Sequence, residues 1–125
     1  MVAAMKLFEG RAATTNLVRS YDAAGITIGA ERHELPLLVS ATDVESLEGR
    51  SLDTLSDRDV ARIVELKPDL VLAGGGGEVA RPPSALRRTL EERRIAIEAM
   101  QLGAACRTFN VLVQEDRAVV ALLLP

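Results

Sequence analysis

Between Leu17 and Ser40 the apolar residues fall into three short runs, 17–21, 25–30 and 35–40, separated by Asp22-Ala23-Ala24 and by Glu31-Arg32-His33. Short β-compatible runs between polar breaks predict an N-terminal antiparallel meander whose turns are the two breaks. In the second run Ile26 and Ile28 alternate with Thr27 and Gly29, which leaves one apolar face. Leu37-Leu38-Val39 is apolar without alternation, the pattern of a strand covered on both sides, so this third run is expected to be the central strand. The polar stretch 41–55 has no clear period and reads as a loop with room for a helical turn around Val44 to Leu47.

Helix signals begin at Ser56. Its hydroxyl can accept from the Asp59 N–H, the Asp59 carboxylate can accept from the Ser56 N–H, and Leu55 can staple onto Val60. Val60, Ile63 and Val64 form the apolar stripe, and Pro68 ends the helix by disfavouring helical geometry at Lys67. Asp69 to Ala73 predicts a buried strand that runs into Gly74-Gly75-Gly76-Gly77. A second helix is expected over 84–94, entered through Pro82-Pro83, where a fixed φ and a missing N–H cost nothing. Leu86 and Leu90 face inward, with Arg87, Arg88, Glu91, Glu92 and Arg94 outward.

With a strand over 95–100 this makes a βαβ unit, so the two strands should be parallel neighbours joined by a right-handed crossover. A third helix, 103–114, gathers Leu102, Ala105, Cys106, Phe109, Leu112 and Val113 into one arc at about 100° per residue, with Arg107, Val111 and Gln114 facing away. An apolar strand over 117–124, of open direction, closes the chain. The expected class is α/β: a partly parallel sheet with flanking helices and an N-terminal antiparallel meander. One domain covers 17–125, preceded by an extension over 1–16.

Composition narrows the function classes. With 48% hydrophobic and 26% charged residues the chain can bury a core and stay soluble. The net charge of −3 and the absence of any block of like charge argue against sequence-independent nucleic-acid binding. Thirteen arginines accompany two lysines, but many stand beside acidic residues on predicted helices. Phe8, Tyr21 and Phe109 are too few aromatics for a base-stacking platform. The single cysteine and single histidine exclude a disulfide framework and a His/Cys metal cluster, so no metal and no cofactor are expected. No run approaches a membrane span, and Met1 to Gly10 lacks a signal-peptide apolar core; a cytoplasmic chain without membrane partner is expected.

Chemistry has one place to collect. Ligands of α/β sheets bind beyond the carboxyl ends of parallel strands, and two such ends bring 74–77 and 101–103 to one rim. Gly74, Gly75, Gly76 and Gly77 allow close backbone approach, the helix start at Gly103 offers N–H groups to an anion, and Arg81, Arg107 and Asn110 add polar groups. No Gly-Lys-Ser/Thr completes a phosphate loop, so the glycines read either as a flexible connection or as a ligand loop. Cys106, in the first turn of that helix, is more simply a small buried hydrophobe than a redox thiol. His33 and Glu91-Glu92 read as solvated surface groups, and no catalytic set is legible.

Several strings carry a resemblance: Leu37-Leu38-Val39-Ser40, Leu70-Val71-Leu72-Ala73-Gly74-Gly75-Gly76, Pro82-Pro83, and Ala104-Ala105-Cys106-Arg107-Thr108-Phe109-Asn110-Val111-Leu112. In order and spacing, over about 17–124, the chain resembles the Mth-nine-three-eight-domain family, whose members include a mitochondrial complex I assembly factor and whose activity is not established. The resemblance implies three layers around a central mixed, mostly parallel sheet with one antiparallel strand. Where family members commonly carry Gly-Thr-Gly and Thr-Tyr-Asn, this chain has Gly74-Gly75-Gly76 and Thr108-Phe109-Asn110. Each departure removes a hydroxyl, which weakens any proton-transfer role there and leaves a packing role. A tryptophan frequent after the Leu-Leu-Val-Ser strand is also missing, and Leu47 can fill some of its space.

Two functions from different classes follow. The leading one is a non-catalytic module that binds a protein partner or assists assembly. The rival is a small anionic-ligand binder or enzyme using the glycine rim, which requires a concave pocket there. An exposed edge of the meander could also pair with its own copy.

Overall fold

The computed structural model describes residues 15–77, 79 and 81–125. The extension expected over 1–16 lies outside the described residues apart from its last two. The described residues form eight strands: β1 (Val18–Tyr21), β2 (Gly25–Ile28), β3 (Glu31–Glu34), β4 (Leu37–Ser40), β5 (Val44–Ser46), β6 (Leu70–Gly75), β7 (Ala96–Gln101) and β8 (Val119–Leu124). The helices are α1 (Asp57–Glu65), α2 (Ser84–Glu91) and α3 (Leu102–Gln114).

β1, β2 and β3 form an antiparallel three-stranded sheet, and the other strands form a five-stranded sheet in the order β5-β4-β8-β6-β7. β6 pairs parallel with both β7 and β8, while β4 pairs antiparallel with β8 and β5. Four strands therefore share one direction and β4 alone opposes them, the mixed sheet with one antiparallel strand that the resemblance implied. Alternation along the strands divides the core. Leu37, Val39, Leu72, Val119, Ala121 and Leu123 pack with α3 and the three-stranded sheet. On the opposite face Leu38, Val71, Ala73, Val120, Leu122 and Leu124 pack with α1 and α2. That is three layers, with the five-stranded sheet in the middle.

The meander differs from its sequence reading. Its third strand is Glu31–Glu34, the segment read as a turn, and 35–40 leaves it to join the larger sheet. The actual turn is Gly29-Ala30, where Gly29 takes φ +60° and lets Ile28 pair directly with Glu31. Glu31-Arg32-His33-Glu34 has no apolar face, so a pattern search sees a break where backbone pairing makes a strand. β4 is buried on both sides as expected, but the middle position belongs to β8. The stretch read as loop contains β5 at the sheet edge.

The helices follow their signals more closely. Ser56 Oγ accepts from the Asp59 N–H at 3.1 Å and Asp59 Oδ2 accepts from the Ser56 N–H at 2.9 Å. Asp59 is also gripped by Arg50, through Nε at 2.6 Å and Nη2 at 2.9 Å, a fork that spacing alone did not announce. α2 stops at Glu91, three residues early, because Arg94 adopts φ +59° and the Ile95 N–H turns back to the Leu90 carbonyl at 2.9 Å. α3 buries Leu102, Ala105, Cys106, Phe109 and Val113 and exposes Arg107, Val111 and Gln114, the arc read from sequence.

Among the described residues Asp59 is the one buried charged side chain, and the Arg50 guanidinium holds its carboxyl below the usual range. A depressed folded pKa contributes stability that is complete above the unfolded value of about 4 and lost as pH falls through the folded one. Asp59→Ala should cost about 2 kcal/mol in urea melts near neutral pH, from the lost cap and buried hydrogen bonds. It should also flatten the acid limb below about pH 4. A variant whose stability falls with acid as steeply as the wild type would contradict the assignment.

Candidate functional site

The rim is built where three parallel strands end in register: Gly75 of β6 stands opposite Gln101 of β7 and Leu124 of β8. β7 passes into α3 without an intervening residue, Gln101 serving as the N-cap, so the helix starts at Leu102 and Gly103 lies in its first turn. A hollow of about 340 Å³ opens there, lined by Tyr21, Asp22, Gly75, Gly76, Gly103 and Arg107 among others. A second hollow of about 500 Å³ shares Gly75 and lies between Leu35-Pro36, the 49–53 loop and Leu124-Pro125. The single cleft expected from sequence is thus two hollows divided by the end of β6.

Of the eight rim candidates, Gly75, Gly76, Gly103 and Arg107 come together at the first hollow. Gly74 lies beneath it, and a Cβ there would collide with the Ala105 Cβ. It permits close approach of strand and helix. Gly103 lies under the Tyr21 ring, where an added Cβ would come within 2.8 Å of Cζ and would have to push the half-exposed tyrosine aside. A Cβ at Gly77 would meet nothing within 4 Å, and neither Gly77 nor the exposed Arg81 lines the hollow.

Asn110 serves a different purpose. Its Oδ1 accepts from the Val18 N–H at 2.8 Å and its Nδ2 donates to the Val18 carbonyl at 2.8 Å. The side-chain amide acts as one more strand partner and closes the edge of β1. Two helical turns separate it from the start of α3, about 12 Å. Cys106 is 2% exposed, and burial pushes its thiol up to about 11 despite the neighbouring Arg107. Redox sensing needs an accessible thiol with a lowered pKa, and the fold supplies the opposite of both.

Tyr21 and Asp22 were not singled out in the sequence. Arg107 Nη1 donates to Tyr21 Oη at 3.1 Å, which ties α3 to the tip of the β1–β2 hairpin. Asp22 accepts from the Ala24 N–H at 2.9 Å, the Gly25 N–H at 3.1 Å and Arg32 Nη2 at 2.9 Å. The Arg32 bond and the turn amides hold its carboxyl down at about 2. The signal was local: an aspartate two and three residues before small residues is an Asx-turn pattern. An anion in the hollow would face Arg107 and also this ionised carboxylate. Among the described residues no group of three or more His, Cys, Asp or Glu side chains could hold a metal ion.

The family described as a protein of unknown function, DUF498/DUF598, matches residues 18–124. The chain belongs to this family. It is similar to NADH dehydrogenase (ubiquinone) 1 alpha subcomplex assembly factor 3 of Homo sapiens, 29% identical over 97% of this chain and 67% of that one. The Rattus norvegicus factor is 30% identical over 86% of this chain and 60% of its own length, so the chain spans about three-fifths of that relative. A solved Bartonella henselae structure, named as an outer membrane protein, superposes with TM-score 0.77 at 32% identity, covering 90% and 96% of the two chains. A Bordetella pertussis structure named as a Mth938-like domain shares the fold, with TM-score 0.73, 21% identity and 90% and 87% coverage. The expected family and fold are thereby established. Among the described residues no helix is long and apolar enough to cross a membrane.

The glycines can be separated by experiment. Gly74→Val should cost about 1–3 kcal/mol through overpacking against Ala105, whereas Gly77→Ala should leave the thermal midpoint within error. Equal effects at both positions would refute the packing role of Gly74. Cys106 should react with an aromatic disulfide reagent only in denaturant; stoichiometric modification of the folded protein at neutral pH would contradict its enclosure.

Proposed function

We propose that the chain is a non-catalytic module that assists assembly by holding a protein partner, that it works in the cytoplasm, and that its client is an NADH dehydrogenase. The observation that carries this reading is the similarity to assembly factor 3 of Homo sapiens, which runs along 97% of the chain. The rim agrees with binding rather than chemistry. Its polar groups are engaged in holding the fold, Arg107 on Tyr21 and Asp22 on its own turn and Arg32, and away from the rim both amide atoms of Asn110 are engaged on Val18. A surface whose reactive groups are committed in this way can still recognise a partner through shape, edges and charge.

Deleting the gene in its own host tests the proposal. Assembled NADH dehydrogenase on native gels should fall by about half or more while transcripts of its subunits stay constant, and the tagged chain should co-purify with at least one unassembled subunit. Normal levels of the assembled enzyme with no subunit captured would overturn it.

A further inference from the structure

Among the described residues four sheet edges are available to a partner, and three are blunted. Asn110 occupies the outward N–H and C=O of Val18 on β1. β3 is four polar residues, three of them charged, and β5 is three residues long. β7, with six residues, borders only β6. The Ala96 N–H donates to the Asp69 carbonyl on the β6 side at 3.1 Å. By strand alternation Ala96, Glu98 and Met100 turn their backbone groups inward, and Ile97, Ala99 and Gln101 turn theirs outward. One outward carbonyl, that of Ile97, carries Arg87 Nη1 at 3.3 Å.

Alongside this edge runs a groove of about 460 Å³, lined by Arg87, Glu91 and Arg94 on one wall and by 95–98 along its floor. Three arginines elsewhere are ion-paired: Arg32 with Asp22, Arg50 with Asp59, and Arg62 with Asp43, Glu45 and Glu65. Arg87, Arg88, Arg93 and Arg94 are all exposed, and among the described residues none forms an ion pair. Segment 84–94 thus carries four arginines against two glutamates on a chain of net charge −3.

The geometry points to β7 as the docking edge for an extended acidic segment of a protein partner, added as a further strand. This inference deepens the assembly reading and rests on it. Because side chains alternate along an added strand, every second residue would face the α2 wall and meet Arg87 and Arg94, where carboxylates are favoured. The residues between them would face the opposite side, beside Glu98 and Met100, where neutral side chains fit. Arg87 would exchange the Ile97 carbonyl for a partner carboxylate, freeing that carbonyl for the incoming strand. The recognised chemistry is a segment alternating acidic and β-branched residues.

The probe is a short synthetic peptide alternating glutamate and valine, with a lysine-for-glutamate version as control, titrated to millimolar concentration against the 15N-labelled chain. The expected result is a shift and slowed exchange of the Ala99 and Gln101 amides with the glutamate peptide alone. Binding should weaken about tenfold in Arg87→Glu/Arg94→Glu. Ala99→Pro removes an outward N–H without touching the β6 ladder and should block binding at an unchanged fold, which a thermal melt checks. Silence at these amides, equal binding of the lysine peptide, or preferential binding of an RNA oligomer at the same arginines would overturn the assignment. Complementation of the deletion separates the two readings. Full rescue by Arg87→Glu/Arg94→Glu refutes the edge and leaves the assembly role standing, whereas a deletion without effect refutes the assembly role itself.

Discussion

β8 is the constraint on which the other elements depend. Each of its six residues, Val119 to Leu124, is buried, with odd positions packed in one core and even positions in the other. A strand with no polar face is stable only when both faces are covered, each buried valine or leucine then contributing about 1.5–3 kcal/mol. The covering is therefore two-sided. α1 and α2 lie on one face, and α3 with the three-stranded sheet lies on the other. β8 also joins the two directions of the sheet, pairing parallel with β6 and antiparallel with β4.

The parallel half sets the rim. Because β6, β7 and β8 end at the same level, and because β7 enters α3 without a spacer, the helix start is brought against the end of β6. The approach is close enough that Gly74 can carry no side chain over Ala105. Tyr21 then closes the remaining gap from the smaller sheet by lying on Gly103 and accepting from Arg107. The glycines at this rim have unequal reasons for being glycine. Gly74 and Gly103 are sites of contact, Gly76 stands close to the Pro125 backbone, which a Cβ would approach to 3.1 Å, and Gly75 borders both hollows.

Charge is arranged by a different rule. Asp59, Arg50 and Arg62 bind loop to helix, and Asp22 with Arg32 binds the smaller sheet's turn to its third strand. These pairs join segments distant in sequence, so they act on the geometry of the fold. Among the described residues the arginines of segment 84–94 form no ion pair, Arg87 donating instead to the Ile97 carbonyl of β7, and they stand beside the longest uncovered edge.

What the amino-acid sequence determined by itself was local. The cap at Ser56, the buried arc of α3, the apolar character of β4, β6 and β8, and the parallel βαβ unit all follow from spacing within a few residues or from short connections. Pairing decided the rest. Glu31–Glu34 became a strand through its backbone, which no side-chain pattern reports, and that displaced Leu37–Ser40 into the other sheet. The candidate site divided in the same way. The sequence brought the glycines and Gly103 to one rim because strand ends are local features. That Asn110 seals β1 and that Arg107 holds Tyr21 depended on contacts across as many as 92 positions of chain, which only the packed tertiary structure can set.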